Sequence, residues 1–157
     1  MPREPQVRDA TRDDLAVVAS WVGTAEECRL WAGPAVSFPV EPGRLAVEIE
    51  FDEADDLALA DEAGTAGFGQ LVWRPRGRAH LARVIVRPDA RGRGYGRVLV
   101  RALVERAVSR GARVATLNVY AENAPARLLY EEAGFTVTDG PDGHACPHGA
   151  LCMTLHL

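Results

Sequence analysis

Between residues 80 and 96 the chain reads HLARVIVRPDARGRGYG, an apolar run, then a proline, then glycines alternating with other residues, arginine prominent among them. Residues of these types at this spacing suit one task, the holding of an anion. Gly92, Gly94 and Gly96 lack a Cβ, so the amides around them can approach a phosphate, and Arg91 and Arg93 offer forked donors to the same charge. A strand that runs through such a turn into a helix aims unpaired N–H groups and the positive end of the helix dipole at one point. Two familiar phosphate loops are excluded. No Gly-Lys-Ser/Thr follows, and Arg97 stands where the dinucleotide pattern needs its third glycine. A glycine-rich turn with solvated arginines is the plain alternative.

Charge distribution favours the anion. Net charge is −4, which argues against a nucleic-acid partner, yet residues 74–113 hold twelve arginines and two acids while residues 1–73 hold fifteen acids. A basic middle suits a small polyanion such as a phosphorylated cofactor. All eighteen basic residues are arginine, which excludes lysine Schiff-base chemistry. No stretch approaches the roughly 18 apolar residues of a membrane span, and MPREPQVRDA has no apolar core of a secretory signal. A cytoplasmic protein with no membrane or nucleic-acid partner is expected. Cys28, Cys146 and Cys152 are three in number, so a fully paired disulfide framework is impossible and reduced thiols are expected. His144, Cys146, His148 and Cys152 are ligand types, but their spacings of two, two and four match no familiar zinc pair. No metal is expected, and that loop reads as a border of a substrate pocket or as simple solvent exposure.

The elements that must position the turn follow from periodicity. At 157 residues the chain is expected to form a single domain, residues 1–157. Residues 7–10 suit an edge strand, and Thr11 with Asp14 opens a helix whose Leu15, Val18, Ala19 and Val22 share one face. A second helix is expected over 24–31 and a third over 41–50, with a loop from Ala32 through Pro39 between them. Strands over 57–60, 66–73 and 78–87 form an antiparallel meander, the first two joined by the turn at 61–64. A helix over 95–110 and a strand over 114–120 then favour a parallel pair linked by a crossover. Asn123 can cap a further helix that Gly134 ends, and strands over 135–138 and 151–156 close the chain.

Two stretches together carry a family resemblance. Arg91-Gly92-Arg93-Gly94-Tyr95-Gly96 resembles the Q/R-x-x-G-x-G/A signature of the GNAT superfamily of N-acetyltransferases. The run from Asn123 through Tyr130 to Gly134-Phe135 resembles that superfamily's N-x-x-A-x-x-L-Y-x-x-x-G-F. The resemblance implies an α/β (α+β) GNAT fold, a central mixed, mostly antiparallel, splayed sheet of about six to seven strands flanked by about four helices. It implies acetyl-CoA as co-substrate. Main-chain groups of Val84, Ile85 and Val86 would pair with its pantetheine arm, amides of Arg91, Gly92, Arg93, Gly94, Tyr95 and Gly96 would hold its diphosphate, and Asn123 and Tyr130 would face the arm and the sulfur.

The expected activity is acetyl transfer to a primary amine of a small molecule or peptide, by direct attack in a ternary complex. A primary amine with a pKa near 10 is roughly one part in a thousand neutral at pH 7, so a base is needed, and the leaving thiolate needs a proton. Tyr130 is the expected general acid. His80 is the candidate base, because relatives place Glu or His at a similar strand position; a strand-end histidine with no role is the alternative. Asn118 stands where some protein N-terminal acetyltransferases have a glutamate, which counts against a peptide N-terminus. Trp21, Trp31, Phe38 and Trp73 are candidates for the acceptor wall or for core. Glu26, Glu27, Asp52, Glu53, Asp55 and Asp56 are candidates to attract a cation or to form a solvated face. A non-catalytic acyl-CoA sensor with the same fold is the rival reading, and the resemblance makes a homodimer possible through late strands.

Overall fold

A computed structural model of the protein describes residues 3–139 and 146–157. One sheet of seven strands runs through it in the order β1-β2-β3-β4-β5-β7-β6. These are β1 (Gln6–Asp9), β2 (Asp55–Asp61), β3 (Gly64–Arg74), β4 (Arg78–Val86), β5 (Val114–Tyr120), β6 (Thr136–Thr138) and β7 (Ala150–His156). All neighbours pair antiparallel except β4 and β5, which are parallel and joined by α4 (Tyr95–Ser109). The remaining α-helices are α1 (Arg12–Trp21), α2 (Ala25–Ala32), α3 (Pro42–Glu48) and α5 (Ala124–Glu132), giving five among the described residues where about four were expected. Every expected element is present, and most boundaries move by one to three residues.

Two apolar cores lie against this sheet. Leu99, Val100, Leu103 and Ala107 on α4 pack with Tyr130, Phe135 and strand residues Leu71, Leu81, Leu117 and Met153. Leu15 and Val18 on α1, Cys28 on α2 and Leu45 on α3 pack with Phe68 and Ile85. Each large aliphatic or aromatic side chain so buried contributes about 1.5 to 3 kcal/mol. The expected helix face of α1 is the one that is buried.

Asp14, 2% exposed, ties α1 to the sheet. It accepts both guanidinium nitrogens of Arg8 at 2.7 and 2.9 Å, the Thr11 amide at 2.7 Å and the Thr65 hydroxyl at 2.7 Å. Burial pushes its carboxyl up, but the Arg8, Thr11 and Thr65 hydrogen bonds outweigh burial and hold it at about 2. That is below the roughly 3.9 of an unfolded Asp, so the stability it adds is complete above about pH 4 and is lost as pH falls through about 2. Asp14→Asn is expected to cost about 2 kcal/mol at pH 7 and to flatten the acid limb of a denaturation series run between those pH values.

The cysteines depart from expectation. Cys146 and Cys152 form a disulfide, with their Cα atoms 5.7 Å apart, and Cys28 is free and buried. Strand β7 brings Cys152 back beside the segment that carries Cys146, a closeness that an odd count cannot reveal. The thiols of two of the four residues weighed for zinc are thereby consumed, and His144 lies outside the described residues. Among the described residues no helix is long and apolar enough to cross a membrane.

Candidate active site

The site begins where two strands part. β4 and β5 pair in parallel from Arg78/Val114 through Leu81/Leu117 and no further, although β4 continues to Val86 and β5 to Tyr120. Beyond the split, β5 keeps its other neighbour through Tyr120↔Ala150, and β4 keeps β3 through Val86↔Gly67. The sheet therefore holds on both sides of a wedge whose β4 wall is a free strand edge, a row of peptide groups open to a partner. Arg83, at φ +54, lies where the β3–β4 register shifts, so a bulge bends β4 at the mouth of the wedge.

A cleft of about 690 Å³ fills the wedge. Val84, Ile85 and Val86 line it, as do Arg91, Gly92, Gly94, Tyr95, Gly96, Asn123 and Tyr130. Of the residues singled out for a cofactor, Arg93 alone is missing from the lining; it is exposed. The Arg91 side chain folds back to donate to the Val86 carbonyl at 3.1 Å. The structure thus brings the turn and the phenol into one opening, as the two sequence stretches predicted.

Helix ends show why the turn can accept an anion. The N-termini of α1, α2 and α3 are closed by side chains: Asp14 on the Thr11 amide, Thr24 on the Glu27 amide, and Glu41 on the amides of Gly43 and Arg44. The N-termini of α4 and α5 have no side-chain cap, and both face the cleft. At α4 the capping position is Gly94, with φ +82, which has no side chain to offer. The first turn of α4 leaves its amides unpaired, with the positive end of the dipole behind them. Asn123, expected to cap α5, makes no capping bond; its backbone (φ −85, ψ 68) leaves its side chain unused for that purpose. Gly96 has a different task from Gly94. A Cβ there would lie 3.1 Å from Leu129, so the glycine lets α4 and α5 approach.

Residues outside the two signatures brace the turn. Asp61 accepts Arg87 at 2.7 and 3.1 Å and the Tyr95 hydroxyl at 3.1 Å, tying the end of β2 to both flanks of the turn. The Arg87 hydrogen bonds hold the Asp61 carboxyl at about 2 against partial burial, so the brace stays charged at ordinary pH. Sequence reading singled out Tyr95 for its amide but passed over Asp61 and Arg87, because the three are scattered over 34 residues.

Tyr130 sits on α5 at 8% exposure, edge-on to Phe135 with ring centroids 6.2 Å apart. Burial pushes its phenol well above the ordinary tyrosine range, so it remains protonated. His80 lines a second cavity of about 220 Å³, and its Nδ1 lies 2.9 Å from the Thr116 hydroxyl. The two cavities share Leu30, Trp31, Ala82, Arg83 and Asn118 among their walls. Tyr130 and His80 therefore face adjoining chambers. Trp21 and Trp31 are wall residues, whereas Trp73 packs on the core and donates to Asp55 at 2.9 Å, and Phe38 is exposed. Of the acids weighed for attracting a cation, Glu27 alone lines either cavity. Among the described residues no group of three or more His, Cys, Asp or Glu is placed to hold a metal.

Comparison with known proteins agrees with this architecture. A family model described as acetyltransferase (GNAT) family matches residues 24–135. The chain is 35% identical over 134 residues to a mycothiol acetyltransferase of Corynebacterium aurimucosum, a match that covers 78% of this chain and 44% of that protein. The chain thus spans less than half the length of that curated relative. A ribosomal-protein-alanine N-acetyltransferase from Brucella melitensis superposes with a TM-score of 0.73 at 25% identity, covering 97% of this chain and 99% of that one. A spermidine N-acetyltransferase from Vibrio cholerae, solved with CoA and spermine, superposes at 0.74 with 19% identity over 97% and 95% of the two chains, a likeness of fold. With the matching model spanning most of the chain and the split sheet present, this protein belongs to the GNAT acetyltransferase family.

Proposed function

We propose that the chain is an acetyl-CoA-dependent N-acetyltransferase that modifies a primary amine of a small molecule by direct attack in a ternary complex. The observation that carries this reading is the wedge at Leu81/Leu117, where one cleft joins a free strand edge, an uncapped helix N-terminus and a buried phenol. A phosphorylated thioester with a long amide-bearing arm fits all three. Amides of residues 91–96 take the diphosphate, Val84, Ile85 and Val86 pair with the arm, and Asn123 lies beside it. The thioester carbon is then presented between Tyr130 and the smaller chamber. Family membership and the acetyltransferase relatives support the same assignment.

The chemistry follows from that placement. The neutral amine attacks the acetyl carbon, the C–S bond breaks, and the departing sulfur takes a proton from Tyr130. The proton lost by the attacking nitrogen restores the phenol through solvent. Before attack, His80, held by Thr116 in the adjoining chamber, takes the extra proton of the ammonium form through water and so frees the neutral amine. A single domain, a cytoplasmic location and a homodimer formed along the edge strand β6 belong to the same proposal.

Release of free thiol from acetyl-CoA across a panel of amines tests the activity. Transfer to at least one small amine is expected, and failure to bind acetyl-CoA rejects the proposal. His80→Ala is expected to lower kcat by about 10- to 100-fold with the loss concentrated below the amine's pKa. An unaltered pH–rate profile would remove His80 from the mechanism.

A further inference from the structure

Among the described residues, the wall between the two chambers holds a cation without a counter-ion. Arg83 rises from the bulge in β4 and lines both cavities. One guanidinium nitrogen, Nη1, donates to the Gln70 side-chain oxygen at 2.9 Å. Gln70 is 0% exposed and is fixed in turn, its amide nitrogen donating to the Ile49 carbonyl at 3.0 Å and to Asp56 at 2.6 Å. Arg83 Nε is buried and has no hydrogen-bond partner among the described residues. Among the described residues no carboxylate forms an ion pair with Arg83 within 4.0 Å, in contrast to Arg8, Arg12, Arg29, Arg44, Arg87 and others that are paired.

The surrounding charges do not supply what is missing. Glu50 and Asp56 act on Arg83 only through space, and Arg74 opposes it. Burial pushes Asp56 up to about 7, helped by Asp55 and Asp52, so it is only partly ionised at neutral pH. Burial also lowers the pKa of Arg83 from the usual arginine value, the direction expected for a charge held without compensation. Trp31 lines the same two cavities, and its indole Nε1 is likewise buried without a partner among the described residues. A guanidinium on the shared wall with no carboxylate beside it is costly unless an anion enters the junction.

We infer that the acceptor carries a carboxylate as well as its amine, and that Arg83 binds that carboxylate at the junction of the two chambers. This rests on the acetyltransferase reading. The guanidinium is rigid and forked, which suits a planar two-oxygen anion, and the Gln70 bond fixes the orientation of the fork. Anchored there, the acceptor places its amine a few atoms away, between the thioester and His80. A purely cationic amine would instead meet Arg83 as a like charge.

The test compares α-amino acids with their own α-amides as acceptors in the wild type and in Arg83→Gln. The acid-to-amide ratio of kcat/KM is taken in each protein, and dividing one ratio by the other cancels the difference in amine basicity. The ratio is expected to fall about 10- to 100-fold in Arg83→Gln, chiefly through KM, with Arg83→Lys intermediate. An unchanged ratio overturns the assignment. If no acceptor is acetylated, calorimetric titration of the CoA-loaded wild-type protein with an N-acetyl amino acid and with its amide separates the claims. Preference for the acid keeps the Arg83 site while the enzyme reading fails, and equal affinity overturns the site.

Discussion

Tyr130→Phe is expected to bind acetyl-CoA within about threefold of wild type while kcat falls by about 10²- to 10⁴-fold, the range for loss of a positioned proton donor. The substitution removes one oxygen from a side chain that is otherwise held by apolar packing with Phe135 and its neighbours. The fold and the cleft lining survive, so a loss of turnover reports on the hydroxyl. Burial keeps the phenol protonated across the ordinary pH range, so kcat should show no limb from Tyr130 ionisation below about pH 10. Sulfur leaves as a thiolate of pKa roughly 8 to 9, and a donor aimed at it matters most when charge develops there. Unchanged turnover in stopped-flow measurements of thiol release would discard the assignment.

Gly94→Glu is expected to weaken acetyl-CoA binding by at least about 100-fold while the folded state persists. Two effects combine. The backbone at φ +82 costs a residue with a Cβ about 1 to 2 kcal/mol, and a carboxylate at the mouth of α4 opposes a diphosphate across a short distance. A Cβ at Gly94 would meet no heavy atom within 4 Å, so the side chain itself fits without displacing protein. Gly94→Ala therefore separates the effects: it carries the backbone cost alone and should weaken binding by about tenfold or less. Equal affinities for Gly94→Glu and wild type in calorimetry would contradict the role given to the turn.

Much of this was legible in the chain because the signals were local. Gly94 before an apolar-striped helix, Pro125 in a first turn and Gly134 at φ +102 after α5 each act within a few residues, and those elements stand where periodicity put them. The parting of β4 from β5 was legible only through family likeness. It depends on pairing between strands more than 30 residues apart, and nothing in LARVIV or TLNVY says where the ladder stops. The Cys146–Cys152 pair, only six residues apart, was hidden for another reason: an odd cysteine count does not say which two a local turn brings together. One signal was present and unread. Arg83 is a charged residue inside an apolar strand run, and a charge in such a run needs a partner. His80 was placed by analogy of strand position, and the structure gives it a chamber adjoining that of Tyr130, so the base role proposed for it needs a water between them.

A crystal structure with acetyl-CoA bound tests the central claim most directly. The account predicts diphosphate oxygens within about 3.2 Å of main-chain amides at the start of α4, the arm laid along Val84, Ile85 and Val86, and the thioester sulfur within about 4 Å of the Tyr130 hydroxyl. A cofactor seated outside the β4–β5 wedge, or a sulfur walled off from Tyr130 by another residue, would contradict it.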